Sequence, residues 1–244
     1  MRAPRTTGRR GLIWAVGGGV VLVVAIVAII VAITSQPAPS GPTGTDSPNG
    51  SPTSSAAPTA SGDFVDQTVA ETGWVPEPIT TDADTYVRAA LAAASTFDTQ
   101  RSTRSDWLAF LDTWFTPDTR YASEEDRQTD MQASQLEMRQ AVVLPEDDWD
   151  SLAREDGRVT AVTRGDITYS DVPDDTSGDM KIGTADVVLT FTRSDGNGGE
   201  TSYDETARVS VQVLCGDGSI PSPNTDQHAG DCKVVRYFSG SVEP

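Results

Sequence analysis

The sequence predicts an α+β domain held outside the cell on one membrane-spanning helix. Three patterns predict it: a long stretch without charge near the start, apolar residues at helical spacing after residue 80, and period-two alternation after residue 158. The stretch is Gly11 to Ile33, 23 residues with no charged side chain. At ~1.5 Å per residue such a helix crosses a hydrocarbon core of ~30 Å. It is too long for the ~7–15-residue apolar region of a cleaved signal peptide, and no convincing small-x-small cleavage site follows it. No cysteine is near enough to carry a lipid.

Charge divides the chain in the same way. Residues 1–10 hold Arg2, Arg5, Arg9 and Arg10 and no acid. A basic tail before a span stays in the cytoplasm, so the remainder is expected outside. All 36 acids follow Thr34 together with the 14 remaining basic residues, a formal −22 against −18 for the whole chain. A surface this acidic repels phosphate backbones, so no nucleic acid partner is expected.

The expected organisation is a basic tail at 1–10, a transmembrane helix at 11–33, a linker at 34–73 and an extracellular domain at 74–244. The linker region is built largely of Pro, Ser, Thr, Ala and Gly up to about Ser61. It has almost no apolar surface to bury, and a flexible chain of that length reaches on the order of 30 Å. The first residue of the domain is expected near Phe64 or Trp74. About 170 residues suffice for one core.

The first half of the domain reads as helical. Thr81 is the expected N-cap of a helix to Phe97, with Asp82 and Asp84 in the first turn and an apolar stripe of Tyr86, Val87, Ala90, Leu91, Ala94 and Phe97. A second helix is expected from about Ser105, crowded by Trp107, Leu108, Phe110, Leu111, Trp114 and Phe115 and ended by Pro117. A third runs from Ser123 to about Val143, opening with Glu124, Glu125 and Asp126.

After that the period changes. Val159–Thr163 and Ile167–Tyr169 alternate as strands do, and Ala185–Thr192 is another strand. Ser194–Glu200 supplies the Gly and Asn of a hairpin turn, so Ala207–Leu214 returns antiparallel. Lys233–Phe238 is the last strand. The fold class is therefore helices packed on a curved antiparallel sheet.

Few residues point to chemistry. Cys215 and Cys232 are the two cysteines, without a Cys-x-x-Cys motif or clustered histidines, and outside the cell they are expected to form a structural disulfide. His228, the one histidine, lies in the loop between them and reads as a surface residue; no Gly-x-Ser-x-Gly elbow accompanies it. The acidic runs at Glu124–Asp126, Glu146–Asp150 and Asp171–Asp179 match no calcium loop and read as solvated caps and turns. No cofactor and no metal is expected. The remaining candidate is the aromatic run: Trp107, Phe110, Leu111, Trp114 and Phe115 exceed what one helix face buries, and they are a candidate partner or cavity surface beside their role in the core.

The Thr81–Phe97 helix, the Asp106–Phe115 helix with its Trp-Leu-x-Phe-Leu-x-x-Trp-Phe run, and the four strands after Val159 together resemble the nuclear transport factor 2-like (cystatin-like) fold on a membrane anchor, over roughly residues 75–240. Two membrane-anchored families have this layout. One is the assembly component of type IV secretion and conjugation channels, including versions from Gram-positive elements; the other accompanies lipid importers of the mammalian-cell-entry type. Arg outnumbers Lys 16 to 2, a composition that fits an actinobacterial source.

The resemblance implies a non-enzymatic structural or assembly subunit of an envelope-spanning transfer machine. Its partners would be the membrane, further copies of itself or other envelope-complex subunits. The alternatives are an accessory membrane protein of a lipid importer and a module binding a small apolar ligand. A ketosteroid-isomerase-type enzyme would need Tyr169 or Tyr203 and an Asp converging in an apolar pocket.

Overall fold

The computed structural model describes residues 63–242. The expected basic tail, membrane helix and linker up to residue 62 lie outside the described residues. Among the described residues no helix is long and apolar enough to cross a membrane.

The ordered chain begins before Trp74. Phe64 bridges Pro78, Val65 N–H donates to Glu77 O, and a 3-10 helix occupies Gln67–Thr72. Asp66 caps it by accepting from Thr68 N–H at 2.9 Å, and Gly73 ends it at φ 84°. A Cβ at Gly73 would lie 2.6 Å from Asp98 Cβ, so both conformation and space select glycine there. Residues 64–73 of the expected linker at 34–73 therefore belong to the folded domain. They carry Phe64, Val65 and Val69, apolar residues with a surface to cover.

Helix α1 is Ala83–Ala93, and its N-cap is Asp82, one residue after the expected Thr81. Asp82 accepts from Thr85 N–H at 2.8 Å, while Thr80 Oγ1 accepts from Asp82 N–H. Tyr86, Val87, Ala90 and Leu91 are buried as the stripe predicts. Phe97 is not helical. The chain tightens through Ser95 and Thr96, and strand β1, Phe97–Asp98, pairs with Val159 and Arg158. Helix α2, Arg104–Asp112, is capped by Thr103 Oγ1. It stops before Pro117, so Trp114 and Phe115 lie past its end. There Thr116 N–H donates to Val234 O at 2.8 Å and Val234 N–H to Trp114 O at 2.9 Å. Helix α3, Glu124–Ala141, starts at the expected Ser123 cap. Helix α4, Glu146–Ala153, occupies an acidic run that reads as loop in the sequence; its first turn is Glu146, Asp147 and Asp148, and its Trp149 is buried.

The sheet is a five-stranded antiparallel meander in the order β1 to β5, formed by β1 with β2 (Arg158–Asp171), β3 (Met180–Ser194), β4 (Glu200–Leu214) and β5 (Lys233–Phe238). The two short segments expected at 159–169 form one strand, β2, whose ladder with β3 shifts register between Arg164 and Thr168. Gly165 takes φ +67° in that irregularity.

Helix α1 lies across β2, β3 and β4. Arg88 Nη1 donates to Gly165 O, and Thr163 Oγ1 donates to Arg88 O. A Cβ at Gly183 would sit 2.8 Å from Val87 Cγ1, so that glycine lets the helix seat on the sheet. Helix α3 packs along β5, where Arg236 pairs with Glu137. The main core lies between the helices and one sheet face. A second cluster of Val172, Met180, Ile182, Leu214 and Val235 is separate from it.

Candidate functional site

The aromatic run divides. Trp107, Leu111 and Trp114 have no exposed surface, and Phe115 is buried apart from a margin. Trp107 packs on Phe97 and Trp149 at 4.9 and 5.6 Å, and Phe97 stacks on Trp149 at 4.2 Å. The surplus of large residues on α2 is thus absorbed by a second aromatic layer from β1 and α4, which no local pattern in the sequence places there. Trp107 and Trp114 occupy the space between helices and sheet. Phe110 is different. One face stacks on Trp74 at 4.9 Å, Trp114 meets it edge-on at 6.0 Å, and the rest faces an open groove.

That groove has a volume of about 490 Å³. Val65 and Val69 of the N-terminal arm form one wall, Phe110, Phe115 and Pro117 another, and Met131 of α3 a third. Ile220, Pro221 and Pro223 close it from the loop between the cysteines, with Ile220 51% exposed. Polar groups stand among these: Asp66, Asp112, Thr113, Gln128, Ser222 and Thr225. Burial pushes the Asp112 carboxyl above its ordinary value, against the opposing pull of its ion pair with Arg139. Asp112 Oδ1 has no hydrogen-bond partner.

Beneath the groove lies a buried ion pair. Lys233 Nζ donates to Glu77 Oε1 at 2.8 Å, to Thr113 O at 2.7 Å and to Ser222 Oγ at 2.9 Å. The two charged side chains are 1% and 2% exposed. Tyr86 Oη also donates to Glu77 Oε1 at 2.6 Å, as does Gln227 Nε2 at 3.3 Å. Burial lowers the Lys233 ammonium from its ordinary value, with Glu77 opposing. Burial and the Glu77 charge push the Tyr86 hydroxyl well up. One ammonium thus ties four segments of chain: the N-terminal arm, the end of α2, the cysteine loop and β5. All the bonds to the carboxylate converge on Oε1, and Glu77 Oε2 is buried with no hydrogen-bond partner.

The loop wall is fixed by the same network. Cys215 and Cys232 are joined in a disulfide. Within the loop Ser222 N–H donates to Gln227 Oε1 at 2.9 Å, and Ile220 N–H donates to Thr116 Oγ1 at 2.9 Å. His228 is exposed there, and its backbone N–H donates to Asp231 Oδ2 at 2.7 Å. A rigid wall of this kind holds apolar side chains open to solvent without letting them collapse.

A second, polar groove of about 380 Å³ lies at the start of α1, lined by Asp82, Asp84, Asp179, Tyr169 and Lys181. Burial, then Asp84 and Asp82, push the Tyr169 hydroxyl up to about 12. Tyr169 faces this open polar groove, and Tyr203 is 42% exposed against Phe191; neither sits in an apolar pocket with an Asp. Among the described residues no group of three or more His, Cys, Asp or Glu side chains is placed to hold a metal ion.

No protein-family model and no characterised protein matches the chain. Among solved structures it is similar to CagV, a VirB8 homolog of the T4SS from Helicobacter pylori strain 26695. The identity is 16%, the match covers 55% of this chain and 78% of that one, and the TM-score is 0.30. A likeness at that TM-score carries no argument about function. The described residues form an α+β domain of helices packed on a five-stranded antiparallel sheet.

Proposed function

We propose that the chain is a non-enzymatic structural subunit of an envelope-spanning transfer machine of the conjugation or type IV secretion kind. Residues 11–33 would hold it in the membrane, with residues 1–10 inside and the domain outside. The observation that supports an assembly role is the apolar groove, open to solvent and held by a disulfide-closed loop and a buried ion pair. Hydrophobic side chains displayed on a rigid frame suit contact with a neighbouring subunit. The layout of tail, span, linker and helix-then-sheet domain supports the choice of machine.

The test is a crosslinking pull-down of the full-length protein from its native membrane, read by mass spectrometry. Recovery of a transfer ATPase and channel subunits is expected, and it should be lost in Phe110→Asp or Met131→Glu while the domain stays folded. Recovery of lipid-importer subunits would move the chain to the mammalian-cell-entry type of machine. The reading of a small-ligand module is disfavoured by Trp107 and Trp114, which occupy the interior where a chamber would lie. A lipid copurifying with the chain would revive it.

A further inference from the structure

Strand β4 is 15 residues long, yet β5 accompanies it only from Ser210 to Leu214. From Glu200 to Val209 its outer side pairs with no strand among the described residues. Strand β5 does not extend along it. After Phe238 the chain turns so that Val242 N–H donates to Ser210 Oγ and Val242 O accepts from Thr184 Oγ1. Among the described residues no strand continues the lane of β5 along this half of the sheet, over about 33 Å at the usual rise per residue.

The vacant side presents regularly spaced backbone groups. Asp195 N–H donates to Gly199 O at 3.0 Å across the turn. Alternation along an antiparallel ladder then directs the odd residues of β4 toward β3 and turns the N–H and C=O of Ser202, Asp204 and Thr206 outward. The adjoining side chains are acidic. Glu200, already paired with Arg158, and Asp204, which accepts from Thr190 Oγ1, lie on one face of the strand; Glu205 lies on the other, beside Tyr203, which lies flat on Phe191 at 5.1 Å and 7°. Arg208, the single cation of this stretch, pairs with Asp186.

We propose that the outer edge of β4 from Glu200 to Thr206 is a docking lane that takes a cationic extended segment of a partner protein as a sixth strand. Main-chain bonds would supply the pairing, and alternating Lys or Arg side chains would meet the carboxylates. The acids disfavour a second copy of the chain in the lane. Self-pairing centred on Asp204 puts that carboxylate opposite itself, between molecules of net charge −18. The inference rests on this edge alone and stands apart from the transfer-machine reading.

The experiment is backbone amide exchange on the full-length chain in detergent micelles, with a capped nine-residue peptide of alternating Arg and Val as probe. The peptide should slow exchange at Ser202, Asp204 and Thr206 by about tenfold or more, and less at raised salt. Asp204→Lys with Glu205→Lys should weaken that binding by about tenfold or more. Thr206→Pro, which removes one outward donor and leaves the β3 ladder intact, should abolish it. Unchanged exchange at Val211 and Val213 shows that each variant is folded. No protection by the peptide, or equal protection by a Glu/Val peptide, overturns the proposal. Protection of the same amides by rising protein concentration alone also overturns it, because the occupant is then a second copy.

Discussion

The two halves of strand β4 share one ladder with β3 and otherwise have little in common. From Ser210 to Leu214 every residue is buried, with α1 over one face, β5 on the edge, and Val213 and Leu214 falling in separate apolar clusters. From Glu200 to Val209 most residues are exposed. The difference teaches that pairing makes a strand but coverage makes it stable, since the backbone bonds to β3 run through both halves. The base is where the protein holds itself together; the tip is surface.

The sharpest way to break the comparison is at the ion pair of the base. Lys233→Met leaves Glu77 buried without its cation, and we expect a loss of about 3–5 kcal/mol in denaturant unfolding. Adding Glu77→Leu should recover part of it. Leu214→Ala, which opens a cavity in the second cluster, should cost about 2–5 kcal/mol, whereas Thr206→Ala at the tip should stay within about 0.5 kcal/mol. Replacing both cysteines by serine should cost about 3 kcal/mol, because the bridge closes a loop with a sequence separation of 17.

The smallest effects belong to the tip and the caps. Arg158 bonds Glu200 through both guanidinium nitrogens at 2.6 and 2.7 Å, yet Glu200→Gln should leave the melting temperature unchanged, because solvent screens an exposed pair. That contact holds the Glu200 carboxyl below its ordinary 4.5. Hydrogen bonds from Thr68 and Thr85 hold Asp66 and Asp82 below 3.8. For a depressed acid the stabilisation is present above the unfolded value and fades as pH falls through the folded one. An acid titration should therefore show stability level down to about pH 4.5 and declining below it, and Asp82→Ala should flatten part of that decline.

Much of the fold is legible in the residues. Ser123, the α1 stripe from Tyr86 to Leu91, the Gly and Asn turn after Ser194 and the limits of β5 follow from local rules of capping, period and positive φ. Phe97 and Trp114 lie outside the helices expected for them because helical spacing continues past the point where pairing with β2 and the bridge to β5 take over. Trp149 is not legible as a core residue because a single aromatic in an acidic run gives no period, although Pro145 followed by three acids is a helix start. Of the groove, Phe110 and Phe115 stand among the sequence candidates, while Val65, Val69, Met131 and Ile220 carry no signal as a set.

The sequence by itself determined the charge division, the α+β order, the candidate disulfide and the expectation of a membrane anchor, since each depends on composition or on neighbours a few residues apart. Only the tertiary structure decided that Lys233 meets Glu77 at 2.8 Å, that Phe110 faces solvent while Trp114 does not, and that β4 outruns β5. Those facts join residues as many as 156 positions apart, and long-range packing sets such contacts without leaving a local pattern to read.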